Sequence, residues 1–438
     1  MTQSDLQQRG YEQLRAGNYE EAKRLFREHE ERAGTAAGTR TQLRQAEARL
    51  AAGDLKDAAE RYEQVLERNP CLPDVYLGLA RISLLTGQLD SARVHATAAM
   101  RLGPNLGLAW ALLGLVHEAQ GDEEMALDHL REAVALSPSV FLCQYNYGRV
   151  LAASGRPAEA LAPLLQATEL EPRNPDGFSA LGIAYKQAGQ YANALRALER
   201  ATSLAPRSLD AWATLADVRF AAGEYKPARE VLDQALAACG DHPALLEKAL
   251  AAAMMLSDPP GAIAYVEREL RLVPDHAQGW LNLAHLALQA KDFEKSESAA
   301  RELLRRDPKN WQAWFHLGNL FDAVPLEQDA EQAYREAIAL APTQWKPLAN
   351  LAGLLLQMKA RDKNAEALPL LEKALTLVPP GEWLVHYNLA LAHTKLGHPE
   401  RALELARRIQ REAPPADPMV AQARKLESNL QEAAARRN

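Results

Sequence analysis

Asparagine recurs in this chain at a spacing built on 34 residues: Asn282 and Asn350 lie two such periods apart, Asn146 lies four periods upstream, and Asn388 follows. His316 holds the place between Asn282 and Asn350. His285 and Asn319 form a second pair one period apart, and Gln278 and Gln312 a third. An asparagine side chain carries a carbonyl acceptor beside an amide donor, which together match the N–H and C=O of a peptide bond. A row of such groups grips an extended chain through its backbone, whatever that chain's side chains.

Other reactive patterns are missing from the sequence. It holds no GxxxxGK[ST], GxSxG, HExxH or GxGxxG motif. Gly34–Gly38 lacks the lysine of a phosphate-binding loop and reads as an ordinary loop. His386 and His393, like His117, stand where the periodic pattern wants packing residues, so they read as core and not as metal ligands. Cys71, Cys143 and Cys239 have no ligand spacing. The expectation is a protein with no catalytic residue, no metal and no cofactor.

Fifty basic residues are interspersed among 57 acidic ones for a net charge of −7, which gives no sustained positive field for a phosphate backbone. Nucleic acid is therefore not an expected partner. Short basic runs at Arg305–Arg306, Arg407–Arg408 and Arg436–Arg437 read as solvated helix ends. No apolar run approaches the ~18 residues that a membrane span requires, and the polar start carries no secretory pattern. Sparse, odd-numbered cysteines suit a reducing compartment. The expected location is the cytoplasm, and the Arg- and Ala-rich, Lys-poor composition fits a GC-rich bacterial genome.

The elements that must position these groups follow from the prolines. Pro70, Pro104, Pro138, Pro172 and Pro206 are 34 apart, as are Pro274, Pro308 and Pro342, and Gly240 fills the missing place. Each ends a helical stretch, because proline lacks the N–H that a continuing helix needs. Within a period the pattern repeats: Trp110, Leu113, Gly114, His117, Gly121, Ala126, Leu130, Ala133, Pro138, and later Phe178, Leu181, Gly182, Tyr185, Gly189, Ala194, Leu198, Ala201, Pro206. Positions 4, 7, 8 and 11 make one helical stripe and 20, 24 and 27 the facing one. Small residues at 8 and 20 let the two helices approach, and glycine near 15 turns the chain.

Twelve such units are predicted, starting near Gln3, Thr39, Pro73, Gly107, Phe141, Pro175, Leu209, Pro243, Ala277, Trp311, Trp345 and Trp383. Residues 1–38 form a divergent first unit with a loose joint at Gly34–Gly38, and 39–242 a regular array. Residues 243–276 form a divergent unit, with Ser257-Asp258-Pro259-Pro260 in place of the turn glycine. Residues 277–416 form a second array, with about three extra residues around Arg361–Asn364. Residues 417–438 hold a capping helix, Met419–Ala435, and a tail.

This pattern closely resembles that of the tetratricopeptide (TPR) repeat, W-x2-L-G-x2-Y followed by A-x3-F, A and P, over essentially the whole chain. The resemblance implies an all-α fold, a right-handed α-α superhelix of about twelve helix-turn-helix repeats with a C-terminal capping helix. It also implies that positions 2, 5, 6, 9, 12 and 13 of each first helix face a concave groove. There the N-terminal repeats place Leu77, Leu84, Leu85, Leu108, Leu112, Leu115, Leu142 and Tyr145, with Phe220, Met254 and Met255 further on, as an apolar surface for a partner. The asparagine, glutamine and histidine row falls on the same face and is similar to the asparagine ladder of some arrays in this family. A carboxylate clamp is matched only in fragments: Asn319, Asn350 and Lys346 fit, whereas Phe315, Leu384 and Asn388 stand where basic residues belong. Trp311, Trp345 and Trp383 open their repeats and read as a packed spine.

The expected function is a non-catalytic scaffold or adaptor that binds one or more proteins through an extended peptide or an amphipathic helix. The alternatives are a chaperone for an exported or assembling client, and a regulatory subunit of a separate enzyme. The oligomeric state is left open.

Overall fold

A computed structural model describes residues 2–358 and 360–435; Arg436–Arg437 lies outside the described residues. Among these residues there are 25 α-helices and no strand. They form two compact units, 1–239 and 240–438.

The first unit runs as α1 (Gln3–Arg15), α2 (Tyr19–Ala33), α3 (Ala36–Ala51), α4 (Leu55–Arg68), α5 (Pro73–Leu85), α6 (Leu89–Leu102) and α7 (Gly107–Ala119). It continues as α8 (Glu123–Leu136), α9 (Phe141–Ala153), α10 (Pro157–Leu170), α11 (Pro175–Gln187), α12 (Tyr191–Leu204), α13 (Leu209–Ala221) and α14 (Tyr225–Cys239). The second unit holds α15 (Pro243–Met255), α16 (Pro259–Leu272), α17 (Ala277–Gln289), α18 (Phe293–Arg306), α19 (Trp311–Ala323) and α20 (Glu327–Leu340). It ends with α21 (Trp345–Gln357), α22 (Arg361–Leu377), α23 (Trp383–Leu396), α24 (Pro399–Glu412) and α25 (Pro418–Ala435). Odd- and even-numbered helices up to α24 pair as antiparallel hairpins, and eleven of the twelve begin at the residue the period predicts. The exception is the second, which starts at Ala36 and not Thr39.

Close approach within a hairpin depends on the small residues. A Cβ on Gly148 would sit 2.5 Å from Leu164 Cγ and 3.1 Å from the Ala160 carbonyl, so α9 meets α10 through the space that glycine leaves. Six hairpins are also tied to the linker that precedes them, which the sequence stripe did not reveal. The indoles of Trp110, Trp212, Trp280 and Trp314 donate to the carbonyls of Pro104, Pro206, Pro274 and Pro308, six residues upstream. Tyr76 and Gln144 do the same to Pro70 and Pro138. The fourth residue of the repeat, aromatic in five of these six, thus satisfies a carbonyl that the proline left without an intrahelical partner.

The loop expected at Gly34–Gly38 is not there. Gly34 takes a left-handed cap at φ 67°, and Ala36–Gly38 are already the first turn of α3. The first hairpin nevertheless does not pack along α3 and α4 as later hairpins pack along their neighbours. Its Ala22 and Phe26 bury against Cys71 and Leu102, at the α4–α5 turn and the end of α6. There the Asn69 side chain donates to buried Glu30 at 2.7 Å. The extra residues of the eleventh unit form no loop either. They lengthen α22 to 17 residues and bring Lys363 to within 2.8 Å of Glu331 on α20.

In the first unit every hairpin turn uses a glycine at φ 73° to 81°, from Gly17 to Gly223. In the second unit the corresponding places at Ser257 and Lys291 also have positive φ, at 53° and 60°, and Pro325 takes the third. The departure from glycine therefore covers three successive turns and not the eighth unit alone. A side chain in the left-handed region costs ~1–2 kcal/mol. Lys291→Gly is therefore expected to raise stability by about 0.5–1 kcal/mol, read by denaturant unfolding. No gain would mean that the neighbouring packing, not the turn, sets this conformation.

Candidate functional site

Seven of the eleven apolar residues singled out in the sequence come together. Leu77, Leu84, Leu85, Leu108, Leu112, Leu115 and Leu142 line one cavity of about 340 Å³, joined by Asn146. The walls come from α5, α7 and α9, successive first helices of their hairpins. Because the hairpins stack in register, residues 34 apart in sequence become neighbours in space, as Leu108 and Leu142 do. Tyr62 of α4 closes one end, reaching over α5 at Gly78, where any Cβ would collide with its ring. Glu47, Asp74 and Arg81 form a charged rim. Burial, with Glu47 nearby, pushes the Tyr62 phenol up to about 12, so the end wall is a neutral hydroxyl. Leu85 is 66% exposed and Leu142 37%, an unusual solvent cost for leucines sharing a concavity.

The other four apolar residues lie elsewhere. Tyr145 stacks on Phe141 at 5.3 Å and packs against the core around Leu151 and Leu164. Phe220 is tilted over Tyr225 at 6.0 Å. Met254 and Met255, both more than half exposed, end α15 in the second unit.

The polar row is divided by the tertiary structure. Asn146, expected in the polar row, is buried in the leucine cavity, and its amide donates to the Leu142 carbonyl at 2.8 Å. His316 does not face a groove: it is 7% exposed, with Nε2 2.8 Å from Ser296 Oγ. Ser296 gives its own proton to the Ala284 carbonyl, so the imidazole N–H is the donor to Oγ. Burial pulls the His316 pKa down to about 4, helped by His285 with its ring 6.5 Å away. The Asn282 carbonyl accepts from Gln278 at 2.9 Å, and His285 shares a 2.9 Å contact with Gln289. Gln312 is exposed on α19.

Asn319 and Asn350 are joined directly. The Asn350 amide donates to Asn319 Oδ1 at 2.8 Å, and the same oxygen accepts the Tyr334 hydroxyl at 2.9 Å. Tyr334 is fully buried, so this cluster fastens α20 to α19 and α21 as well as facing outward. Asn350 and Asn388 share a second cavity, about 440 Å³, walled by α19, α21 and α23. Sequence reasoning missed two of its residues, Asp322 and Lys395, although both hold groove-facing places (12 and 13) in their repeats. That register was the available signal.

Trp311, Trp345 and Trp383 are all half-buried, Trp345 and Trp383 against the two C-terminal core clusters. Among the described residues no three His, Cys, Asp or Glu side chains gather as a metal site, and no helix is long and apolar enough to cross a membrane. The three cysteines are unpaired, and burial pushes the Cys71 and Cys143 thiols up to about 11.

A search among curated proteins finds no match to this chain. Among solved structures it is similar to PilF of Pseudomonas aeruginosa, at 26% identity over 46% of this chain and 92% of that one, with a TM-score of 0.40. It is also similar to yeast Tom70, at 15% identity over 92% and 97% with a TM-score of 0.42. A third is PilW, described as a type IV pilus biogenesis factor, at 21% identity over 46% and 94% with a TM-score of 0.42. Profiles described as tetratricopeptide repeat match residues 49–115 and 185–253, then 248–302, 281–344 and 354–417, and also 108–140. One described as TPR repeat matches 148–189. With this coverage, and with helical hairpins throughout both units, the chain belongs to the tetratricopeptide-repeat family.

Proposed function

We propose that this protein is a non-catalytic interaction scaffold that holds a partner by its apolar side chains in the leucine cavity of the first unit. The observation that carries this reading is the convergence of seven leucines from the first helices of three successive hairpins on one open concavity, including Leu85 and Leu142 at substantial exposure. Covering apolar surface is worth ~25 cal/mol per Å². A cavity of about 340 Å³ takes several aliphatic or aromatic side chains, as one face of an amphipathic helix presents them. The unpaired cysteines support a reducing compartment, and the cytoplasm is the proposed location.

The test is capture of partners from native lysate by the wild type and by Leu85→Glu/Leu142→Glu, followed by calorimetry with the partner identified. Both positions reach solvent, so the melting curve is expected to stay within about 0.5 kcal/mol of wild type. Affinity is expected to fall by at least ~2 kcal/mol, the range of an interface hot spot. Unchanged affinity would remove the cavity from the interface. The nature of the partner decides the role: an exported or assembling client makes the scaffold a chaperone, and a catalytic chain makes it a regulatory subunit.

A further inference from the structure

Another concavity of the first unit lies away from the first-helix face that forms the leucine cavity. It measures about 470 Å³, runs between α6 and the α1–α2 turn, and shares no residue with the leucine cavity. It exists because the first hairpin docks on the α4–α5 turn and the end of α6, and does not stack along α3 and α4. Leu14 and Tyr19, on either side of the α1–α2 turn, line it with Tyr76 of α5, and all three pack on the cluster around Phe26 and Leu102. Facing them, α6 supplies Val94 and Ala98, one helical turn apart, and Val94 is 63% exposed. Arg93 and Arg101 line the concavity from the same helix, and no acidic side chain lines it. Arg93 reaches only Asp90, whose side chain is 91% exposed. Arg101 has no hydrogen-bond or ion-pair partner among the described residues. A chain of net charge −7 thus sets an apolar concavity under a positive rim.

The helix that carries the rim selects the occupant. Arg93 and Arg101 are eight residues apart on α6, so their backbones lie about 12 Å apart at ~1.5 Å of rise per residue. A positive charge at each end of an apolar stretch suits a ligand that extends along α6 better than a small anion held at one point. A partner helix packed at ~20° to α6 runs nearly alongside it and repeats that interval with acidic residues seven or eight positions apart. Between them, apolar side chains three and four residues apart enter beside Ala98, the small residue of the α6 row, and cover Val94, Leu14 and the tyrosines. We propose that this concavity docks an acidic amphipathic helix of a partner protein, its carboxylates on Arg93 and Arg101. The scaffold reading supplies only that the occupant is a protein; the leucine cavity plays no part. One wall is the first hairpin, so the bound helix and the docked hairpin stabilise each other.

The test is panning the full chain against a phage-displayed library of helical hexadecapeptides randomised on one face, with selected peptides measured by fluorescence anisotropy. The expected peptides carry apolar residues three or four apart and acidic residues seven or eight apart. Val94→Glu and Arg93→Glu/Arg101→Glu alter exposed side chains and are expected to leave melting unchanged. Each is expected to weaken these peptides at least about tenfold, whereas Leu85→Glu/Leu142→Glu is expected to leave their affinity as it was. Bound peptide is expected to slow hydrogen exchange in α1 and α2, and Phe26→Ala, which removes the anchor of that hairpin, to abolish binding. Peptides lost on Leu85→Glu/Leu142→Glu but indifferent to the α6 variants would overturn this inference and leave the scaffold reading standing. Selected peptides without acidic residues, or bound with no change in α1 and α2 exchange, would overturn it equally. A library that yields no binder to either concavity would count against both.

Discussion

Between pH 7 and pH 4 the wild-type chain is expected to lose about 3 kcal/mol of unfolding free energy through His316 alone. The imidazole is buried, donates to Ser296 Oγ and has its pKa pulled down from 6.5 to about 4. Between those values the unfolded chain binds the proton and the folded chain does not, so stability rises with pH across the window. It is fully present above about 6.5 and reaches its floor below about 4. The measurement is urea unfolding of the second-unit transition at pH 7 and pH 4 for wild type and His316→Gln. Gln cannot titrate, so the variant is expected to show a drop smaller by about 3 kcal/mol. Equal drops would mean that His316 is solvated on protonation and that the Ser296 contact opens at little cost.

Phe26→Ala is expected to cost about 3–5 kcal/mol, the range for deleting a buried aromatic side chain. Phe26 is fully buried, edge-on to Tyr11 at 5.1 Å, and forms the centre of the cluster holding α1 and α2 against Cys71 and Leu102. Because each repeat depends mainly on its neighbours, the loss is expected to stay local. Hydrogen exchange is expected to show the amides of α1 and α2 exchanging freely while α9–α12 keep their protection. Uniform loss of protection through residues 1–239 would mean that the first hairpin is part of one cooperative core and not an appended element.

The same logic applies at the divergent eighth repeat. We propose residues 243–276 as the least stable stretch, opening in exchange experiments at lower free energy than 141–206. The turns at Ser257 and Lys291 extend the expected weakness toward α18. After these two turns Asp258 and Asp292 cap α16 and α18 by accepting from backbone N–H groups.

The 34-residue period alone determined the helices, their pairing and nearly all their starting points, because proline stops, turn glycines and small residues at the close approach act locally. It also placed the seven cavity leucines on one face, since stacking in register converts a sequence interval into a spatial one. Register could not decide depth. His316 and Asn146 hold the same repeat place as Asn350 and Asn388, yet the first is drawn into the core by Ser296 and the second into an apolar wall. What a side chain at that place meets depends on the facing helix of the same and adjoining hairpins. Nor could the period reveal that the first hairpin docks on Cys71 and Leu102, because that contact joins residues with no repeat relation. Asp322 and Lys395 became a pair for the same reason: two charges 73 residues apart share a cavity only when three helices have been laid side by side.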